Sequence, residues 1–118
     1  MASVDRPEDL SAAVVARINA GDLDGLVDLY EEAAIVERPD GTLAVGRAQI
    51  RQFYADLLQS KPHFEPGYVL PALIQGVLAL TTTQIGVSAS AEIARRQPEG
   101  GWRWVMDRPD VLRPPGHS

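Results

Sequence analysis

The chain has 118 residues, 45% of them apolar and 23% charged, a composition that suits one soluble domain with its own core and argues against global disorder. A net charge of −5 argues against a nucleic-acid or anionic-membrane surface, and the lack of cysteine excludes disulfides, thiolate catalysis and cysteine-held zinc or iron–sulfur centres. The two histidines, His63 and His117, leave a metal centre to rest on carboxylates almost alone, so neither metal nor cofactor is expected.

The N-terminal stretch MASVDRPEDL carries early acids and no apolar h-region, so it does not read as a signal peptide. No apolar run approaches the ~20 residues of a membrane span, and the expectation is a cytoplasmic protein. A first helix is predicted over 6–20, with Asp5 and Glu8 spaced as a capping box and Leu10, Ala13, Val14, Arg17 and Ile18 on one stripe. Gly21 suits a left-handed stop, and Asp22 suits the N-cap of a short second helix that turns Leu23, Leu26, Val27 and Tyr30 inward. Residues 33–38 read as a strand, Pro39-Asp40-Gly41 as a turn and TLAVG as a second short strand. In RAQIRQFYADLLQS the apolar spacing of Ile50, Phe53, Tyr54, Leu57 and Leu58 predicts a third helix, ended by Lys61-Pro62. The segments YVLPALIQ, VLALTTTQIGV, SAEIARRQ and WRWVMDR are β-rich, with Pro71 marking an edge or bulge and Pro98-Glu99-Gly100-Gly101 a hairpin turn. Helices first and strands after indicate an α+β domain over 1–110, its antiparallel sheet covered by helices on one face, followed by a flexible tail over 111–118.

NAGDLDGLVDLYEEAAIVE and GRAQIRQFYADLL resemble the N-terminal half of the bacterial ketosteroid isomerases over about residues 8 to 60. Those enzymes belong to the nuclear transport factor 2-like superfamily, with the SnoaL-like polyketide cyclases, the limonene epoxide hydrolases and many uncharacterised bacterial proteins. RRQPEGGWRWVMDRPD is similar to the uncharacterised members. The resemblance implies a cone-shaped curved antiparallel sheet wrapped on three N-terminal helices, a cystatin-like α+β barrel with a deep apolar pocket. It also implies a homodimer through the outer sheet face. The isomerases use a helix-1 tyrosine, a strand-end aspartate and a protonated strand aspartate; the matching positions here are Val14, Arg38 and Ala94. Guanidinium stays protonated at any working pH, so Arg38 cannot act as the base of a steroid isomerisation.

The candidate ligand-binding residues are Tyr30, Arg38, Tyr54, Glu92, Arg96 and Trp104. Arg38 either anchors a ligand oxygen at the pocket or pairs with Glu37 or Asp40 at its rim. Tyr30 and Tyr54 either turn a phenol to the ligand or pack in the core with their hydroxyls satisfied. Alternation puts Glu92, Ala94 and Arg96 on one strand face, which is interior if Ala94 is interior, unless a bulge slips the register. Trp104 shares a face with Trp102 and Met106, as core, dimer face or a wall for a flat ligand, while Asp107 has the opposite parity. Glu92, Arg96 and Asp107 supply the residue types, though not the spacing, of the epoxide hydrolases. His63 sits in a loop, either solvated or available for acid–base work. These readings give a pocket for a small apolar or aromatic molecule, serving a cofactor-independent isomerase, cyclase or hydrolase with its catalytic residues unassigned. The alternative is a non-catalytic dimeric module that binds a ligand or a protein.

Overall fold

The computed structural model describes residues 3–112. The first helix, α1 (Asp9–Ala20), starts later than its sequence signals suggest. Its capping box does not form, because the Glu8 carboxylate accepts the Ala72 N–H at 3.2 Å and residues before it make a turn, Asp9 N–H bonding Arg6 O. Gly21 ends α1 at φ 68, a backbone conformation that costs side-chain-bearing residues more than glycine. Asp22 then caps α2 (Leu23–Asp28), accepting the Gly25 N–H at 3.0 Å. Strand β1 (Tyr30–Glu37) forms a hairpin with β2 (Leu43–Val45), and α3 (Gly46–Leu58) follows at once.

The β-rich second half is cut into seven short strands: β3 (Tyr68–Val69), β4 (Leu73–Gln75), β5 (Leu78–Thr81), β6 (Thr83–Ile85), β7 (Ser88–Ala89), β8 (Ala91–Arg96) and β9 (Trp102–Arg108). Two segments that read as continuous are interrupted, near Pro71 and at Thr82, and a third break at Ser90 separates β7 from β8. Each interruption moves the chain between two sheets. The larger runs β2-β1-β9-β8-β5-β4, and the smaller runs β3-β6-β7.

This arrangement corrects the expected cone-shaped curved antiparallel sheet. The larger sheet is open, with β2 and β4 as its edges, and the strands do not close into a barrel. It is also mixed, because β9 returns parallel to β1, with Ile35 opposite Met106 and Val36 opposite Asp107. The physical reason lies in strand length and connection. Proline without an N–H and the breaks at Thr82 and Ser90 leave no ribbon long enough to wrap. The last strand meets β1 on the edge that β2 leaves free.

The three helices cover one face of the larger sheet, where Leu10, Leu26, Tyr30, Val36, Ile50 and Trp104 form the core. Its other face leaves Leu43, Val45, Leu78, Leu80 and Met106 exposed, alternating with the buried Ala44 and Ala79. Among the described residues no helix is long and apolar enough to cross a membrane. At the start of the expected tail, Val111 donates its N–H to Ala89 O at 2.8 Å and Leu112 its N–H to Asp110 Oδ1 at 2.9 Å; residues 113–118 lie outside the described residues.

Candidate functional site

Strand β9 carries one extra residue against β8. Ile93 faces Met106, but Ala94 faces Trp104, so Val105 is the bulge. The extra residue inverts the alternation beyond it. Trp102 and Trp104 point into the molecule, Met106 points out, and Asp107 points in again. Asp107 thereby lies directly across from Glu92 of β8, and both carboxyls are buried.

These two acids stand in the wall of a cavity of about 230 Å³. Val14 and Ile18 of α1, Tyr54 and Leu57 of α3, Ile85 of the small sheet and Trp104 of β9 make most of its lining apolar. None of the described residues lining it is Lys, Arg or His. Buried carboxyls in such a place need partners. Tyr30 donates its hydroxyl to Asp107 Oδ2 at 2.7 Å, and the Tyr54 hydroxyl lies 2.6 Å from that of Tyr30. With Asp107 ionised, the proton order is Tyr54 to Tyr30 to Asp107. Glu92 has a separate chain. The Trp104 indole N–H donates to Thr81 Oγ1 at 3.3 Å, and Thr81 donates to Glu92 Oε1 at 2.6 Å. Ser90 supplies Glu92 with a further hydroxyl contact.

Local structure fixes these groups. Arg47, in the first turn of α3, gives both Nε and Nη2 to the Tyr30 carbonyl at 2.9 and 2.7 Å, pinning the start of β1. Trp104 N–H bonds Leu29 O at 2.8 Å, and the Trp104 ring lies 5.6 Å from that of Tyr30. The phenols, the indole and both acids therefore come from elements locked to one another.

Burial pushes Asp107 up to about 7, the charge of Glu92 adds to the rise, and the Tyr30 hydroxyl opposes it. Burial also raises Glu92, against the hydroxyls of Ser90 and Thr81. Both phenols are raised, by burial first and by the Asp107 charge next, and stay neutral. Two like charges so placed favour holding one proton between them. Glu92, with two hydroxyl donors to the one of Asp107, is the better place for the negative charge.

Of the residues singled out in the sequence, Tyr30, Tyr54, Glu92 and Trp104 come together here. Arg38 and Arg96 do not. Arg38, half-buried at the end of β1, gives Nη1 to Thr42 Oγ1 at 3.2 Å and Leu43 O at 2.8 Å, bracing the β1–β2 turn. It lines an adjoining cavity of about 200 Å³, which shares Phe53 and Pro109 with the first. Arg96 is exposed at the end of β8, past the interior positions Glu92 and Ala94. His63 is exposed and lies 3.5 Å from Glu65. Among the described residues no group of three acids or histidines could hold a metal ion. Alternation alone assigns Asp107 to the wrong face. The signal that could have found it is the doubled apolar pair Val105-Met106, which breaks the alternation of WRWVMD and marks the bulge.

The SnoaL-like domain family matches residues 12–113 of this chain. Among solved structures, a protein of unknown function from Mycobacterium tuberculosis superposes with a TM-score of 0.70 at 19% identity, covering 86% of this chain and 66% of that one. A Thiobacillus denitrificans protein provisionally assigned as a calcium/calmodulin-dependent protein kinase type II association domain gives 0.69 at 18%, covering 92% and 98%. A ketosteroid isomerase-like protein from Erwinia carotovora atroseptica gives 0.65 at 17%, covering 86% and 89%. At these identities the likeness is one of fold.

Proposed function

This chain belongs to the SnoaL-like domain family, within the nuclear transport factor 2-like superfamily, and we propose that its cavity takes a small neutral, mostly apolar carbonyl compound and moves a proton on it. The observation that carries this reading is the buried Glu92–Asp107 pair in a mostly apolar wall, backed by two phenols. Perturbed acids gathered in a cavity are what proton transfer at neutral pH requires. Asp107, in its protonated form, donates to the carbonyl oxygen. Glu92 takes a proton from the neighbouring carbon, which leaves an enol. Return of that proton to another carbon completes an isomerisation, and attack by the enol carbon on a second carbonyl completes a cyclisation. The same pair would activate water in a hydrolase. No metal or redox cofactor enters any of these steps.

Size narrows the ligand. A dry cavity of about 150 Å³ holds benzene, so about 230 Å³ suits one or two fused rings and is small for a steroid. The absence of a cation among the described lining residues disfavours an anionic ligand. The test is proton exchange in heavy water, followed by NMR, with 1-indanone as probe. The native protein should speed loss of the hydrogens next to the carbonyl, and Glu92→Gln should lower that rate by about 100-fold or more. Native exchange no faster than buffer would overturn the catalytic reading.

A second reading, a non-catalytic binding module, is favoured by Val14, Arg38 and Ala94 standing where the isomerases keep their working residues. Saturable quenching of tryptophan fluorescence by indanone without exchange would support it. For assembly, we propose a homodimer in which a second copy covers the outer face exposing Leu78, Leu80 and Met106. Light scattering should then give twice the chain mass, falling to one chain in Leu80→Arg. A native monomer at about 100 μM would reject the dimer.

A further inference from the structure

One cavity-lining group has no part in the proton transfer above. Thr83 opens β6, and its backbone is fully engaged: its N–H bonds Ser90 Oγ at 3.0 Å and its carbonyl accepts the Ser90 N–H at 2.9 Å. Its side chain is buried, at 4% exposure. The methyl packs on Gly67, where an added Cβ would fall 2.7 Å from Thr83 Cγ2, so the rotamer has little room to turn. Yet Thr83 Oγ1 has no hydrogen-bond partner among the described residues.

The contrast with its neighbours is informative. Three hydroxyl residues are buried here: Thr81 at the end of β5, Thr83 at the start of β6 and Ser90 just before β8. Thr81 and Ser90 are committed to the Glu92 carboxylate. The third is not, and Thr83 is among the residues that line the same cavity. A buried hydroxyl without a partner destabilises a folded chain, whereas valine would fill the same shape without that cost. Retaining an oxygen at this position makes sense when something that enters the cavity bonds to it.

We propose that Thr83 Oγ1 hydrogen-bonds an oxygen of the bound molecule and so selects oxygenated ligands over hydrocarbons of the same shape. A hydroxyl both gives and accepts, so it suits a carbonyl or an alcohol. A site built to bond such a group discriminates against the analogue that lacks it. This inference rests on the cavity being a ligand site and adds what the ligand must carry.

The experiment uses indane, 1-indanone and 1-indanol, which share one ring skeleton and differ in oxygen. Binding is read by quenching of tryptophan fluorescence, Trp104 being in the cavity wall. In Thr83→Val the dissociation constants of 1-indanone and 1-indanol should rise roughly fivefold, the worth of one neutral hydrogen bond, and that of indane should change less than about twofold. Thr83→Ser should keep the preference for the oxygenated pair. Free of ligand, Thr83→Val should melt about 4 °C higher, because the unpartnered hydroxyl is gone. Equal shifts for all three compounds in Thr83→Val, or none, would overturn the contact while leaving the cavity reading intact. A lower melting temperature for that variant would overturn it too, since the hydroxyl would then be satisfied in the free chain. If none of the three binds saturably to the native protein, the cavity reading itself fails and the inference falls with it.

Discussion

Replacing Asp107 by asparagine tests the buried acid through stability alone. In the folded chain Asp107 is pushed up to about 7 from a reference value of 3.8, chiefly by burial and then by the Glu92 charge. The folded chain therefore keeps a proton that the unfolded chain releases. Below about pH 4 both states are protonated and the residue costs nothing. Stability is lost as pH rises from there, and the full cost stands above about pH 7. The difference between about 7 and 3.8, at about 1.4 kcal/mol per tenfold, amounts to about 4 kcal/mol. Because the unfolded chain is mostly ionised by pH 5, about 2.5 kcal/mol of this falls between about pH 5 and pH 8.5. Asparagine keeps the shape and an oxygen for the Tyr30 hydroxyl but does not titrate. Urea unfolding read by tryptophan fluorescence at several pH values gives both stabilities. The native protein should lose about 2.5 kcal/mol relative to Asp107→Asn across that range, at constant m. A native-minus-variant difference that is flat with pH, or that grows in favour of the native chain as pH rises, would refute the buried, proton-holding Asp107.

The tyrosines should differ in weight. Tyr30→Phe strips the one hydroxyl among the described residues that is directed at Asp107 and leaves Tyr54 without its partner, so it should cost about 2–3 kcal/mol in the same unfolding assay, against about 1 kcal/mol for Tyr54→Phe. Gly67→Ala places a Cβ 2.5 Å from an Ile85 carbon and 2.8 Å from the Gln84 carbonyl, which is backbone and cannot swing aside, so it should lower the melting temperature and displace the small sheet, seen as loss of indanone binding. Arg38→Ala should leave that binding within about twofold and cost only about 1 kcal/mol, since the guanidinium braces a turn outside the cavity.

Much of the fold is legible from local chemistry. Asp22 caps α2, Gly21 stops α1, the spacing of Ile50 and Tyr54 gives α3 its buried stripe, and the glycines after Glu99 close the last hairpin. What local chemistry does not carry is the partner of each strand. The parallel return of β9 to β1 joins residues more than 70 positions apart, such as Ile35 and Met106, and no turn signal announces such a pairing. The breaks at Thr82 and Ser90 are equally silent, because both are ordinary strand or turn residues whose role is to hand the chain from one sheet to the other.

The site was half legible for a related reason. Tyr54 follows from the amphipathic pattern of α3 and Glu92 from its alternation with Ala94, whereas Tyr30 faces inward from the start of β1 and not from a helix, and Trp104 lies beside the bulge. Arg38 and Arg96 stand where the element ends, and long cationic side chains at strand ends turn to water or a neighbouring carbonyl. Asp107 escapes because a single extra residue, Val105, reverses every parity after it. Without the bulge Met106 would face the cavity and Asp107 the exposed outer face, where its acidity would be ordinary. The bulge exchanges an apolar side chain for a carboxyl inside and an acid for a methionine outside. One backbone irregularity thus sets up the acid pair in the cavity and adds Met106 to the apolar outer face proposed to meet a second copy.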